Sequence, residues 1–408
     1  MKFLKTISVD KFREILNNYT QADLSSEKVP LDNCFNKVAA EKIESPINVP
    51  HFRKSRMDGY AVIAEDTFGA EEDNLIPLKN IEKIEAGDTP TKKLHKGECA
   101  YVATGAAIPE GANSVVMVEF TDKEDDKILV SKAVTPGKYI VNVGHDIKKG
   151  ENLLAKGKLI DLPAMGVLSG CGITEIEVFQ KPKVSLLSTG SELVTHDVED
   201  LEIGKIYDIN STVIKQAIKN TGAKVHFLGI VKDDFENLRS KINEGMDQSD
   251  IVILSGGTSK GEGDLAVRVL EEFENIEVQV HGVKIKPGKP IIFAKLREKY
   301  IFILPGYPTS ALSCFYVFID DFLRKLSGKP LRSRFSEKLE VGERIYSPVG
   351  RHHFKPVQIR KIKGKKMIFP IKTGSEAIST LFYSDGYVEI EELHEIVEKG
   401  DKLQFYTY

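Results

Sequence analysis

The chain has 408 residues, of which 41% are hydrophobic and 29% charged, with a formal net charge of -3. The apolar share excludes a disordered chain, and the length suits two to four domains at ~100–200 residues each. A charge so near zero excludes a global attraction to nucleic acid or to an anionic membrane, so any anion site has to be local.

Taken in chain order, the opening "MKFLKTISVDKFREIL" carries charges throughout and is not patterned as a signal peptide. Val9, Phe12, Ile15 and Leu16 share one face of a short helix that Ser8 can cap. From about 45 to 140 the pattern changes to short β-like runs between turn signals, such as "KGECAYVATG" and "DDKILVSKAV". Residues 140–180 are mixed, and "LIDLPAMGVLSGCG" contains a short helix. The first helix and this stretch are expected to pack together, with the β module inserted between them.

From 183 strands and helices alternate. "KVSLLS", "KVHFLGIV", "DIVILS", "PIIFAKL" and "YIFILPG" read as strands. "STVIKQAIKNTG", with Asn210 or Ser211 as its cap and Gly222 near its end, "FENLRSKINEGM", "DLAVRVLEEF" and Thr309–Leu326 read as helices. Such alternation implies a doubly wound, mostly parallel sheet covered on both faces. The uncharged run "IFILPGYPTSALSCFYVFI" has the length of a membrane span. Pro305, Gly306 and Pro308 instead divide it into a buried strand and the start of a helix. After Gly328 the segments "HFKPVQIRKIKGKKMIFPI" and "DGYVEI" predict a small C-terminal β domain. The expected division is 1–48 with 141–180, 49–140, 181–328 and 329–408. Cys34, Cys99, Cys171 and Cys314 show neither CxxC nor zinc spacing and read as reduced, packed thiols of a cytoplasmic protein.

In an open α/β sheet, ligands bind beyond the carboxyl ends of the strands. The loops there are "STGSEL" with Glu192, "KDD" with Asp233 and Asp234, "SGGTSKGEGD" ending in Asp264, and "LPGYPTS". In the third, Gly256, Gly257 and Gly261 let backbone N–H groups approach an anion, and Ser255, Thr258 and Ser259 can donate to it. It lacks the spacing of a Walker A loop, and an ordinary glycine turn is the competing reading. "KIKPGKP" holds Lys286 and Lys289 in a proline-stiffened basic turn that suits a small dianion or is simply solvated. "SRMDGYAV" places Asp58 in a tight turn, as a catalytic acid or a turn residue. His352 and His353 lack metal-ligand spacing and read as surface histidines of a strand.

Together these segments resemble the molybdopterin molybdenumtransferases, the family of bacterial MoeA and the gephyrin E-domain. The resemblance rests on "MDGYAV", "TGAAIPEGANSVVMVE", "GHDIKKGENLLAKG", "STGSEL", "SGGTSKGEGD", "KPGKP", "LPGYPTSA", "GRHHFKPV" and "TGSEAISTL", in the family order over nearly the whole chain. Tyr307 stands where the family often has Asn, His145 where it often has Glu, and Ser191 where it often has Asp. The resemblance implies a transferase of molybdenum cofactor biosynthesis, which takes adenylylated molybdopterin and molybdate, or tungstate, and releases AMP. It implies Mg2+, a homodimer of four-domain subunits in the cytoplasm, and the molybdopterin adenylyltransferase as a candidate partner. It implies catalytic roles for Asp58, Thr104, Asp146, Glu192 and Asp264, with Asp58 acting across the dimer. Glu192, Asp233, Asp234 and Asp264 become candidate Mg2+ ligands. The glycine loop with Pro305, Gly306 and Pro308 is expected to hold the pterin phosphate, and Lys286, Lys289, Arg351 and Ser375 or Ser379 the oxyanion. Two alternatives share the fold: a molybdopterin adenylyltransferase, and a non-catalytic scaffold.

Overall fold

The computed structural model describes residues 6–20, 24–256 and 263–408, apart from the side chains of residues 263 and 264. A six-stranded sheet lies at the centre, in the order Lys224–Val231, Lys183–Thr189, Ile251–Ser255, Lys299–Leu304, Ile292–Leu296, Ile276–His281. The first four strands are parallel, and the last two join as antiparallel neighbours. Ile251–Ser255 is buried at every position, as a strand covered on both faces must be.

Helices Ile209–Thr221 and Pro308–Cys314 cover one face; the latter continues through a π turn, Phe315–Ile319, into Asp320–Leu326. Phe235–Gln248 and Gly263–Glu271 cover the other. Asp208, not Asn210 or Ser211, caps the helix Ile209–Thr221, accepting from the Ser211 amide at 3.1 Å. The cap must precede the first turn, and the helix begins before the apolar period becomes visible.

The first helix spans Val9–Asn18, and Ser8 caps it. It does not pack against residues 140–180, contrary to expectation. Phe12 meets Phe318 at 4.8 Å and Phe293 at 6.0 Å between ring centroids, so the helix covers the central sheet. Periodicity gives the width of an apolar face but not the surface that buries it. A separate core joins Cys34 with Ile160, Leu168, Ile176 and Val178.

The inserted module is a six-stranded sheet in the order Ser114–Met117, Gly59–Val62, Glu98–Val102, Ile76–Ile84, Lys127–Val130, Thr121–Glu124. At the C-terminal end, His352–Ile362, Lys365–Pro370, Ser336–Val341, Lys402–Tyr406 and Gly386–Ile390 pair in sequence and close on His352–Ile362. Ile285–Lys286, from the central part of the chain, adds parallel to His352–His353. On its other side, Ile7 bridges to Val283. The four cysteines are buried and unpaired. Among the described residues no helix is long and apolar enough to cross a membrane.

Candidate functional site

Parallel strands end together, so their loops meet at one edge of the sheet. There a cavity of about 600 Å³ opens, lined by Glu192, Asp208, Asn210, Ser255, Gly256, Pro305, Gly306, Tyr307 and Pro308 among others. Gly256 closes in on the first strand: a Cβ there would sit 2.3 Å from the Thr189 carbonyl oxygen, and its φ of 106° is left-handed. Asn210 donates to Ser255 Oγ at 2.8 Å and to the Gly306 carbonyl at 2.7 Å, tying two loops together across the cavity floor. Asp208 is 6% exposed, and its Oδ2 has no hydrogen-bond partner. Gly257, Thr258, Ser259 and Gly261 lie outside the described residues. Asp264 is the second residue of the helix Gly263–Glu271, and its side chain also lies outside them.

The acids expected at a metal separate. The Glu192 side chain is exposed to the cavity, and no cation pairs with it among the described residues. Asp233 lines no described cavity. Its two oxygens accept from Thr189 Oγ1 at 2.7 Å and from the Ser191 amide at 2.9 Å, so it braces the "STGSEL" loop. Asp234 caps the helix Phe235–Gln248, accepting from the Glu236 amide at 3.2 Å. Among the described residues no three His, Cys, Asp or Glu side chains form a group able to hold a metal ion.

A second cavity, about 420 Å³, lies where the basic turn meets the C-terminal sheet. The pairing of Ile285–Lys286 with His352–His353 brings Lys286, Lys289, Arg351 and Ser375 to one space. Gly288 makes the turn fit, because a Cβ there would sit 2.2 Å from Cys314 Sγ, at a φ of 109°. Among the described residues no carboxylate lines this cavity. Ser379 is not among its lining residues, whereas Thr380, the next residue, is. The Thr380 hydroxyl donates to the Gly374 carbonyl at 2.9 Å, which fixes the loop that carries Ser375. Pro290 and Ser310 line both cavities, so the two adjoin.

His353 is not a surface residue; it is 3% exposed and faces the second cavity. Neighbours on a strand point to opposite faces, so His352 instead reaches Glu389 at 3.0 Å. Burial, then Lys286 and Lys355, push the His353 imidazole down to about 3, so it stays neutral. Sequence reasoning gave no role in the site to Asp208, Asn210, Ser310, Lys355 or Glu376. Ser310 sits in the quoted "LPGYPTSA" run, Lys355 in "GRHHFKPV" and Glu376 in "TGSEAISTL", so those three motifs already held the signal.

On the inserted module, Asp58 Oδ1 accepts from the Thr104 amide at 2.6 Å and from its hydroxyl at 2.8 Å. These bonds hold the Asp58 carboxyl below the usual carboxylate range. Both residues are exposed, and neither lines either cavity. Asp146 is also exposed and outside both; its amide donates to the Val49 carbonyl at 3.0 Å.

Three family models match in succession: the MoeA N-terminal region (domains I and II) over residues 7–172, a probable molybdopterin binding domain over 185–325, and the MoeA C-terminal region (domain IV) over 338–408. A Methanocaldococcus jannaschii protein named for molybdopterin biosynthesis is 37% identical, over 96% of this chain and 95% of its own. A molybdopterin molybdenumtransferase of Haemophilus influenzae is 34% identical, over 79% of this chain and 78% of its own. The crystal structure of a molybdopterin biosynthesis MoeA protein from Pyrococcus horikosii superposes with a TM-score of 0.85 at 36% identity, covering 99% of both chains. The chain therefore belongs to the MoeA family of molybdopterin molybdenumtransferases.

Proposed function

We propose that this chain is a molybdopterin molybdenumtransferase, which inserts the metal of molybdate or tungstate into adenylylated molybdopterin and releases AMP. The observation that carries the reading is the pair of adjoining cavities. One is lined by strand-end loops and acids, the other carries only cations as charged side chains among the described residues, and they share Ser310 and Pro290. An anhydride substrate and a tetrahedral dianion need that arrangement: two anion sites within reach of one dithiolene.

In this reading the larger cavity takes the adenylylated pterin. Ser255, the backbone of the glycine loop, and the turn Pro305–Gly306–Tyr307–Pro308 orient its phosphates. Glu192, together with Asp264, would hold Mg2+. The chemistry that such a cation would supply there is neutralisation of charge on the anhydride. Glu192, exposed to the cavity and unpaired among the described residues, suits such an ion, which needs few protein carboxylates where a phosphate is also bound. The smaller cavity takes the oxyanion on Lys286, Lys289, Arg351 and Ser375. Arg351 presents a planar fork to two oxygens, and the stiff turn loses little freedom when it binds.

Asp58 and Thr104 act from the partner subunit of a homodimer, a geometry that a two-fold axis permits. The divisions 1–48 with 141–180, 49–140, 181–328 and 329–408 are retained for the four parts. The helix Val9–Asn18 rests on the third. The protein works in the cytoplasm and receives its substrate from the adenylyltransferase.

The test is AMP release from adenylylated molybdopterin, with and without molybdate and Mg2+. Release that requires both is expected. Adenylylation of molybdopterin by ATP, with no AMP release, would make the chain an adenylyltransferase instead.

A further inference from the structure

The cationic cavity holds a basic side chain, Lys355 of "GRHHFKPV", to which the sequence reading gave no role. Lys355 lies two residues beyond His353 on the strand His352–Ile362, and the two-residue repeat of a strand carries it to the same face. It lines the cavity with Lys286, Lys289, Arg351 and Ser375.

Neighbouring lysines are neutralised in ways that Lys355 is not. Lys372 lines the same cavity, but its ammonium pairs with Glu343 at 2.7 Å. Lys284, beside the basic turn, faces Glu392 at 3.8 Å. Lys355 has only a neutral partner: its Nζ donates to the Ile371 carbonyl at 2.6 Å. Among the described residues no carboxylate pairs with it. A partly buried ammonium in that position is costly unless something negative joins it. Burial, and then the charge of Lys286, draw its pKa below the usual lysine value.

An ammonium has three protons to donate. One goes to Ile371, at the start of the loop that carries Ser375, and two remain. Lys355 can therefore hold that loop and contact an anion together, with no bond broken to do so.

We propose that Lys355 is a further direct ligand of the oxyanion, donating to a tetrahedral dianion alongside Lys286, Lys289 and Arg351. The proposal rests on the reading of this cavity as the molybdate site. It has a thermodynamic consequence. The charged groups around the Lys355 ammonium are Lys286 and Lys289 on the basic turn, Arg351 and neutral His353 on its own strand, and Lys372, already paired with Glu343, on the loop. All unpaired charge there is positive, so an arriving dianion raises the affinity of Lys355 for its proton. Molybdate binding at alkaline pH, where part of the Lys355 population has lost its proton, is then accompanied by proton uptake.

The experiment is calorimetric titration of sodium molybdate into the full-length protein and its Lys355→Met and Lys355→Arg variants. Each is run at pH 9 in Tris and in CHES, whose ionisation enthalpies differ. The expected result is a parent that binds with fractional proton uptake. Lys355→Met should bind roughly 10–100-fold more weakly, the scale of one charged contact, with the uptake abolished. Lys355→Arg should recover most of the affinity but not the uptake, because a guanidinium stays protonated. A merely structural lysine would lose affinity on substitution but would leave the uptake per bound anion unchanged. Parent affinity and parent uptake in Lys355→Met would overturn this assignment alone. A parent that binds no molybdate would overturn the reading of the cavity as well. If Lys355→Met does not fold, the loss of uptake in Lys355→Arg decides the question.

Discussion

The two cavities share a wall and carry opposite charge. Glu192, Asp208 and Glu376 line the larger one with no basic side chain among its described residues, while the smaller collects Lys286, Lys289, Arg351 and Lys355 with no acid. The difference follows from construction. The first is built from loops at the carboxyl ends of one sheet, and the second from a seam between two sheets, where Ile285–Lys286 pairs with His352–His353. It also separates their chemistry. A phosphate entering the acidic cavity needs a cation beside it, whereas a small dianion entering the basic one does not.

The contrast breaks outright if neither cavity governs the rate. Asp58→Asn, in a residue that lines neither, should keep the fold and lower turnover at least ~100-fold, as expected for a group acting in acid–base or charge stabilisation. Unchanged AMP release would mean that the cavities suffice. Partial recovery of activity in verified heterodimers of Asp58→Asn and Asp264→Asn chains would place the group across the dimer.

The contrast sharpens if the two cavities respond to different ligands. Lys286→Ala and Arg351→Ala should each weaken molybdate binding ~30–150-fold, the scale of one charged contact, and leave binding of adenylylated pterin near the parent value. Sulfate should compete, and added salt should weaken binding. Parent-like molybdate affinity in both variants would move the oxyanion elsewhere. In the other cavity, Glu192→Gln should raise the Mg2+ concentration needed for half-maximal AMP release by about tenfold, the effect of removing one charged ligand. An unchanged Mg2+ requirement would remove Glu192 from the metal.

The smallest effect is on stability. His353 is neutral in the folded protein, with its pKa lowered to about 3 from 6.5. The unfolded chain therefore binds the extra proton first as pH falls. The contribution is present above pH 6.5 and is lost progressively toward pH 3. By pH 5.5 the loss is about 1.4 kcal/mol from this group. Urea titrations of the parent and of His353→Gln at pH 7.5 and 5.5 should differ by about that amount in their pH dependence. Identical slopes would show that His353 does not drive it.

Much of this was legible in the sequence. The alternation after residue 183 gave the strands and helices of the central sheet, because strands covered on both faces read as continuous apolar runs. The basic turn and Arg351 were each visible as local chemistry. Their meeting was not, because a pairing between residues 285 and 352 leaves no mark in local spacing. The same holds for Asn210, whose two hydrogen bonds reach residues 255 and 306. The bracing of the "STGSEL" loop by Asp233 was not legible either, since a carboxylate in a loop has the same letters whether it faces a cavity or holds a neighbouring turn. Lys355 sat in a strand of mixed character, and only the closed sheet shows which of its faces is inside.

Ile7 flanks the segment around Val283 on one side, and His352 flanks it on the other. During synthesis on the ribosome the first of these contacts can form once residues near 290 have emerged. The second must wait for the strand His352–Ile362, and that strand's own ring is completed only by Lys402–Tyr406, some 40 residues further on. The nascent chain thus carries its basic turn, unframed, from the emergence of residues near 290 until Lys402–Tyr406 has followed, so the cavity around Lys286 and Arg351 is assembled after the central sheet has all its strands.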